Sequence, residues 1–415
     1  MKSTPVRIRA VRMGGALLSL GLSLSASAPA AARPSTPDAG SRQEEAAFHQ
    51  AQVEARILFA PRLLDGSDGQ RHAAYELRIT SFQSDEDPLK LVRVRVFADR
   101  AAIPLETLEG GAVASLLGQP PQDGDPRDGV AIPSGRSRTL FLWLTLPPGS
   151  QPHVLRHELD FQTSRGARQR AADIAAPVVQ AAPIRIAAPL RGGRWLAAEG
   201  PGNQRSHHWG GIVAIDGTLS DPQRFAIDWF GLDDGDHPFR GAHDSPASTI
   251  DEDWIGYGRD VLAVADGVVV DARDGIANGK PLAPQEAPDD LTNRTLYGNF
   301  VVLRIAPGVY AHYAHMQSGS LAVKIGQQVR RGAVIGHLGQ TGAAGAPHLH
   351  FHISDRPTFE RSQGLPFVID SFTLLDRGKT IEGLLDPTRP LSRPASPPKA
   401  YRAAMPLDGD IVTFP

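Results

Sequence analysis

The stretch Pro347-His348-Leu349-His350-Phe351-His352-Ile353-Ser354 alternates imidazoles with apolar side chains. Residues i, i+2 and i+4 of a strand share a face, so His348, His350 and His352 line one side. Leu349, Phe351 and Ile353 pack into a core on the other. Histidine is the commonest metal ligand and the side chain best placed to move protons near neutral pH. The stretch therefore predicts a half-buried strand carrying part of a zinc site, and the rest of the chain must supply the missing donors.

Composition sets the outer bounds. The chain has 415 residues, enough for two or three domains, with 41% hydrophobic and 21% charged residues. Its 42 Gly and 35 Pro favour turns and short strands over long helices. The formal net charge of −2 gives no reason to expect nucleic acid or an acidic membrane as partner. The chain has no cysteine, which excludes a disulfide framework, a thiolate metal site and a lipidated cysteine. At the start, Lys2, Arg7, Arg9 and Arg12 precede the apolar run Met13 to Leu24 and then Ala26-Ser27-Ala28 and Ala30-Ala31-Ala32. That is the pattern of a cleaved secretory signal over residues 1–32. It implies an exported protein, periplasmic or extracellular, with no stable membrane insertion once the signal is removed.

Organisation follows from composition shifts. Residues 33–53 read as a flexible leader. Residues 54–165 hold β-type runs at Ala73–Ser81, Leu89–Ala98, Arg138–Leu146 and His153–Phe161, separated by turn signals such as Pro148-Gly149. These predict a β-sandwich of immunoglobulin-like type with an accessory or positioning role. Residues 166–182 read as a linker, 183–386 as a second, antiparallel β domain, and 387–415 as a Pro-rich tail on the surface. The fold class is mostly β throughout. Ala265-Asp266-Gly267 between Val261–Val264 and Val268–Val270 suggests a hairpin. Ten of the 14 histidines fall between His207 and His352, where even scatter would place about five, so the second domain is the chemical one.

A hydrolytic zinc site needs three protein ligands, an open position for water, and a residue to manage the water proton. The His348/His350 strand can offer a ligand and a proton-handling group side by side. A second strand leads into Tyr313-Ala314-His315-Met316. A third region runs from His207-His208 to Phe225-Ala226-Ile227-Asp228-Trp229, where Asp228 is the one charge in an apolar run.

Several blocks occur in order between about residues 200 and 375: Ala226-Ile227-Asp228, Val261 to Val269, Tyr297-Gly298-Asn299-Phe300-Val301-Val302, Tyr313-Ala314-His315-Met316, Val323 to Gly332, Gly339-Gln340-Thr341-Gly342 and Pro347-His348-Leu349-His350-Phe351. The ordered set resembles the lysostaphin-type (LytM-like) zinc peptidases of bacteria, which mostly cleave peptide bonds in peptidoglycan. The resemblance implies a compact, mostly antiparallel β fold with the site in a groove and one Zn2+ per chain. It implies a zinc-dependent metalloendopeptidase, with peptidoglycan peptide as substrate.

Carried over by position, Asp228 and His350 are metal ligands, and His348 and His315 are catalytic. Where the common pattern has its first zinc histidine, four residues before the aspartate, this chain has Arg224, which cannot ligate as a cation. The chain resembles a variant branch with a histidine farther upstream, which makes His208 the replacement ligand and His207 the second choice. On a strand the two would face opposite ways. His352 reads as a support or solvent-facing residue, and His312 and His337 as rim or structural residues. His237, His243, Asp233, Asp234 and Asp236 lie in the long insertion between Trp229 and Tyr257 and read as a solvated loop.

Two other readings compete. One is a metal-free relative that binds peptidoglycan or activates another hydrolase, favoured by Arg224. The other is a biotinyl/lipoyl carrier, disfavoured because Lys324 lies inside a strand-like run rather than at a hairpin tip. The bond cleaved, the order of His315 and His348 in proton transfer, and the oligomeric state stay open.

Overall fold

A computed structural model of the chain describes residues 48–83, 88–117, 130–285, 288–386 and 397–415. The signal, most of the leader and the first ten residues of the expected tail lie outside these. Among the described residues no helix is long and apolar enough to cross a membrane.

The first half builds two sheets around one core. In one, Arg71–Ser81 lies between Ser137–Leu146 on one edge and Val53–Ile57 with Arg62–Asp65 on the other. In the other, the order is His49–Gln50, Arg168–Pro177, Val154–Gln162, Leu89–Ala98 and Glu106–Glu109, with Val130–Ile132 also on Leu89–Ala98. Tyr75, Leu77, Leu140 and Leu142 from the first sheet meet Leu91, Val94, Leu159 and Phe161 from the second. Burying such side chains is the main favourable term in holding the two sheets together.

The second half is dominated by an eleven-stranded sheet. Its order is Ile184–Ile186, Phe367–Asp376, Ile411–Phe414, Gly192–Ala198, Ile227–Leu232, Leu349–Ser354, Val309–Ala314, Phe300–Ala306, Gly267–Arg273 and Gln328–Val329, with Lys399–Ala404 also on Phe367–Asp376. Pairing is antiparallel except between Ile184–Ile186 and Phe367–Asp376. Its core holds Trp195, Trp229, Val301, Tyr313, Leu349, Phe351 and Ile353, so the apolar half of the opening alternation points inward as the period requires.

Three expectations need correction. The linker expected at 166–182 contains the strand Arg168–Pro177, in register with Val154–Gln162. Its Ala- and Arg-rich composition hides this, because the strand pairs through backbone and holds Arg170 on buried Asp160. The expected surface tail contributes two strands, and Ile411 and Val412 are fully buried. The prolines that suggested a tail flank these strands instead of interrupting them. The hairpin around Asp266 does not form: Asp260–Leu262 pairs with Val334–His337 in a separate two-stranded sheet.

Candidate metal centre

Strand register places the first two candidate donors. Asp228 lies directly opposite His350 across the Ile227–Leu232 and Leu349–Ser354 pair. Such partners share a face with Cβ atoms about 5 Å apart. His350 Nδ1 is 2.9 Å from Asp228 Oδ1. His348 sits at the strand's entry, with Nε2 3.4 Å from the same oxygen.

His208 approaches from a different element. It lies in a turn, not a strand, within the segment between Glu199 and Gly211. Its backbone N–H donates to Ser206 Oγ, and Ser206 Oγ donates to the Glu199 carbonyl. Its Nδ1 is 2.9 Å from that same carbonyl. A carbonyl only accepts, so Nδ1 carries the hydrogen and Nε2 keeps its lone pair. That Nε2 lies 3.5 Å from Asp228 Oδ1, and it is buried with no hydrogen-bond partner.

His315 and His348 show the same device. His315 Nδ1 donates to the Thr341 carbonyl at 2.7 Å, and His348 Nδ1 to the Ala346 carbonyl at 2.7 Å. Their rings lie 4.8 Å apart, with Nδ1 of each committed and His348 Nε2 turned to the Asp228 carboxylate. His315 ends its strand at φ 63°, in the left-handed region that is costly for a side chain with a Cβ. The Thr341 carbonyl reaches it because Gly298 and Gly342 pass almost in contact. A Cβ on Gly298 would sit 2.3 Å from the Thr341 carbonyl carbon. Thr341 Oγ1 then accepts from the Asn299 N–H and donates to the Met316 carbonyl. The blocks Tyr297-Gly298-Asn299 and Gly339 to Gly342 are thus the mount for His315.

Behind His350 runs a second layer. His350 Nε2 and His352 Nδ1 share a hydrogen at 2.9 Å, and His352 Nε2 lies 3.4 Å from the Tyr297 hydroxyl. His312 stacks flat on His352 at 4.4 Å and bonds Ser354 Oγ. Both rings are fully buried, so His352 supports the site and does not face solvent. Gln223 closes the group with its amide nitrogen 3.1 Å from His350 Nε2. The long insertion is not only a solvated loop. Its Trp254 is buried against Phe230, whose ring stacks on His348 at 5.0 Å. His237, by contrast, stays on the surface beside Asp233, and His337 lies partly exposed beside Asp260.

Electrostatics couple these groups. Burial alone would push the Asp228 carboxyl up, but His348 and His208 beside it hold it well below the usual range. Burial pulls His348 down, yet Asp228 more than offsets this and raises it. Burial, then His348 and His350, push His315 well below the ordinary imidazole value. His208 is pushed well down, chiefly by burial. A buried carboxylate facing several imidazoles, one with an orphaned lone pair, is the donor set zinc takes. His207, His208 and Asp228 offer ligand atoms within 4.8 Å of one another. The His207 side chain is 66% exposed and is held by the Glu199 carboxylate, so His208 is the inward member of the pair.

Arg224 points away from the site. Its Nε and Nη2 donate to Glu76 of the first half, at 2.7 and 2.8 Å. Glu76, Glu199, Gln223 and the Tyr297–His352 contact are not identified by the sequence reading. Glu76 had a signal: it is the one acid in the run Ala73–Leu77, as Asp228 is in its own strand.

Fold and site together define a mostly β domain with a buried His/Asp cluster suited to a metal ion. Residues 254–361 match the sequence profile of Peptidase family M23. The matched segment contains His315, His348 and His350 but begins after His208 and Asp228. Among curated proteins, DD-carboxypeptidase/endopeptidase Mpg of Neisseria meningitidis serogroup B is 43% identical over 72 residues, 17% of this chain and 16% of that protein. Cell division protein DipM of Caulobacter vibrioides is 40% identical over 62 residues, 15% of this chain and 10% of that protein. The match therefore spans less than a fifth of either relative. Among solved structures, the catalytic domain of the antimicrobial peptidase lysostaphin from Staphylococcus simulans aligns at 26% identity over 28% of this chain and 79% of that chain, TM-score 0.17. A zinc containing peptidase from Vibrio cholerae aligns at 13% identity over 72% of this chain and 81% of that chain, TM-score 0.18.

Proposed function

We propose that the chain is an exported zinc-dependent metalloendopeptidase that hydrolyses peptide bonds in peptidoglycan stem peptides or cross-links. The observation that carries this reading is the orphaned, buried Nε2 of His208, aimed at the carboxylate that also meets His350. His208, Asp228 and His350 would hold the ion, which supplies Lewis acidity toward a carbonyl and lowers the pKa of a bound water. The chain's own residues do the rest. His315 and His348, with rings 4.8 Å apart, each commit Nδ1 to a carbonyl, which leaves Nε2 as the working nitrogen. One accepts the attacking water's proton at Nε2 and returns it to the leaving amine, and the other, as the imidazolium with Nε2 also protonated, donates a hydrogen bond to the developing oxyanion. Phe230 and Trp254 wall one flank against water.

A cell-wall substrate is supported by the family match and by relatives named as an endopeptidase and a cell division protein. Export is supported by the signal pattern of residues 1–32. The metal-free alternative rested on Arg224, and that side chain is accounted for by its pairing with Glu76. The test combines zinc analysis with digestion of purified peptidoglycan by wild type and His350→Ala. About one zinc per chain, soluble peptide products from wild type and none from the variant are expected. Intact wild-type protein with neither metal nor products would overturn the reading.

A further inference from the structure

We propose that the N-terminal sandwich is part of the metal centre, with Glu76 as a positioning residue that ties together the two segments carrying His208 and Asp228. Glu76 lies in the middle of Arg71–Ser81 and is fully buried. Its Oε1 accepts from Trp209 Nε1 at 2.9 Å and from Arg224 Nε at 2.7 Å, and its Oε2 accepts from Arg224 Nη2 at 2.8 Å. Trp209 is the residue after His208, and Arg224 is four residues before Asp228. One carboxylate of the first half therefore grips both ligand-bearing segments of the second through charge-assisted bonds, which are short and directional.

A second set of contacts follows the same route. Trp209 packs edge-on against Phe141 at 5.9 Å and Trp143 at 6.1 Å, both on the strand paired with Arg71–Ser81. Gln204 Nε2 donates to the Phe141 carbonyl at 2.9 Å. The turn bearing His208 thus rests on the sandwich. This matters because His208 has no ladder of its own, whereas Asp228 and His350 are fixed by strand register. A working metal site needs its donors held to about 0.5 Å. Where the common pattern places a histidine, this chain places the arginine that seats the substitute donor's support. The displaced ligand and the buried Arg224–Glu76 pair are two parts of one arrangement.

For its zinc arm the proposal rests on the metallopeptidase reading; its conformational arm does not. The test uses full-length protein. Trp209→Phe keeps an aromatic side chain but removes the indole N–H and part of the buried ring, and Glu76→Gln keeps the volume and removes the charge. Hydrogen–deuterium exchange is followed in residues 199–211 and 221–228, beside zinc affinity by chelator competition and the melting temperature. Trp209→Phe should fold with a lowered melting temperature, exchange faster in 199–211 than in the rest of the second half, and bind zinc about 10- to 100-fold more weakly, the usual cost of losing an outer-layer partner. Glu76→Gln should loosen both segments; if that variant does not fold, Trp209→Phe decides alone. Wild-type exchange in 199–211 of folded Trp209→Phe overturns the proposal, whatever the zinc affinity. A wild type that binds no zinc overturns the metallopeptidase reading, and exchange still decides this one.

Discussion

His208, His315 and His348 each spend Nδ1 on a backbone carbonyl, and that choice fixes which nitrogen is free. The sequence could show the residues but not the tautomers, because the accepting carbonyls of Glu199, Thr341 and Ala346 have no side-chain signature. His352 is the clearest residue-scale test. It holds the far nitrogen of His350, so His352→Ala should weaken zinc binding about 10- to 100-fold with the fold intact, as chelator competition and circular dichroism would show. His157 gives a pH prediction outside the site. It is fully buried between the Tyr75 hydroxyl and the Ile174 carbonyl, and burial pulls it down to about 4. Its folded value lies below the unfolded one, so the unfolded chain binds more protons between about pH 6.5 and 4. Stability is therefore lost as pH falls through that window, by up to about 3 kcal/mol. Urea midpoints at pH 7 and 4.5 should fall less steeply in His157→Gln than in wild type.

Among the elements, legibility tracked periodicity. The strands at Leu89–Ala98 and Leu349–Ser354 were readable because alternation fixes their faces, and Asp228 stood out as a lone charge in an apolar run. Arg168–Pro177 was not readable, since a strand that pairs through backbone with small or charged side chains has no hydrophobic rhythm. The turn that carries His208 has no period at all, and only the family likeness pointed there. Glu76 has its partners 133 and 148 residues away, and no local pattern links it to them. The glycine pair supplies the element-scale test. Gly298 sits at φ 65° against the Thr341 backbone, so Gly298→Ala must push the Thr341 carbonyl off His315. A stability loss of more than about 1 kcal/mol is expected, and peptidoglycan digestion should fall further than the melting temperature suggests. Unchanged digestion by Gly298→Ala would show that the His315 mount tolerates movement.

On the scale of the whole molecule, the strand Ile411–Phe414 lies inside the large sheet, between Gly192–Ala198 and Phe367–Asp376. Gly192–Ala198 in turn pairs with the strand that carries Asp228. Ending the chain after Asp410 removes Ile411, Val412 and Phe414 from the core and leaves two unpaired edges. Such a protein should be recovered mostly as aggregate, with zinc lost from the soluble fraction. The same placement governs timing. Residues 411–414 are made only after His208, Asp228, His315, His348 and His350. The sandwich can collapse early, but the second half must wait for Ile411–Phe414 to slot between two other strands. The strand that carries Asp228 therefore gains its outer neighbours only once Ile411–Phe414 has docked beside Gly192–Ala198.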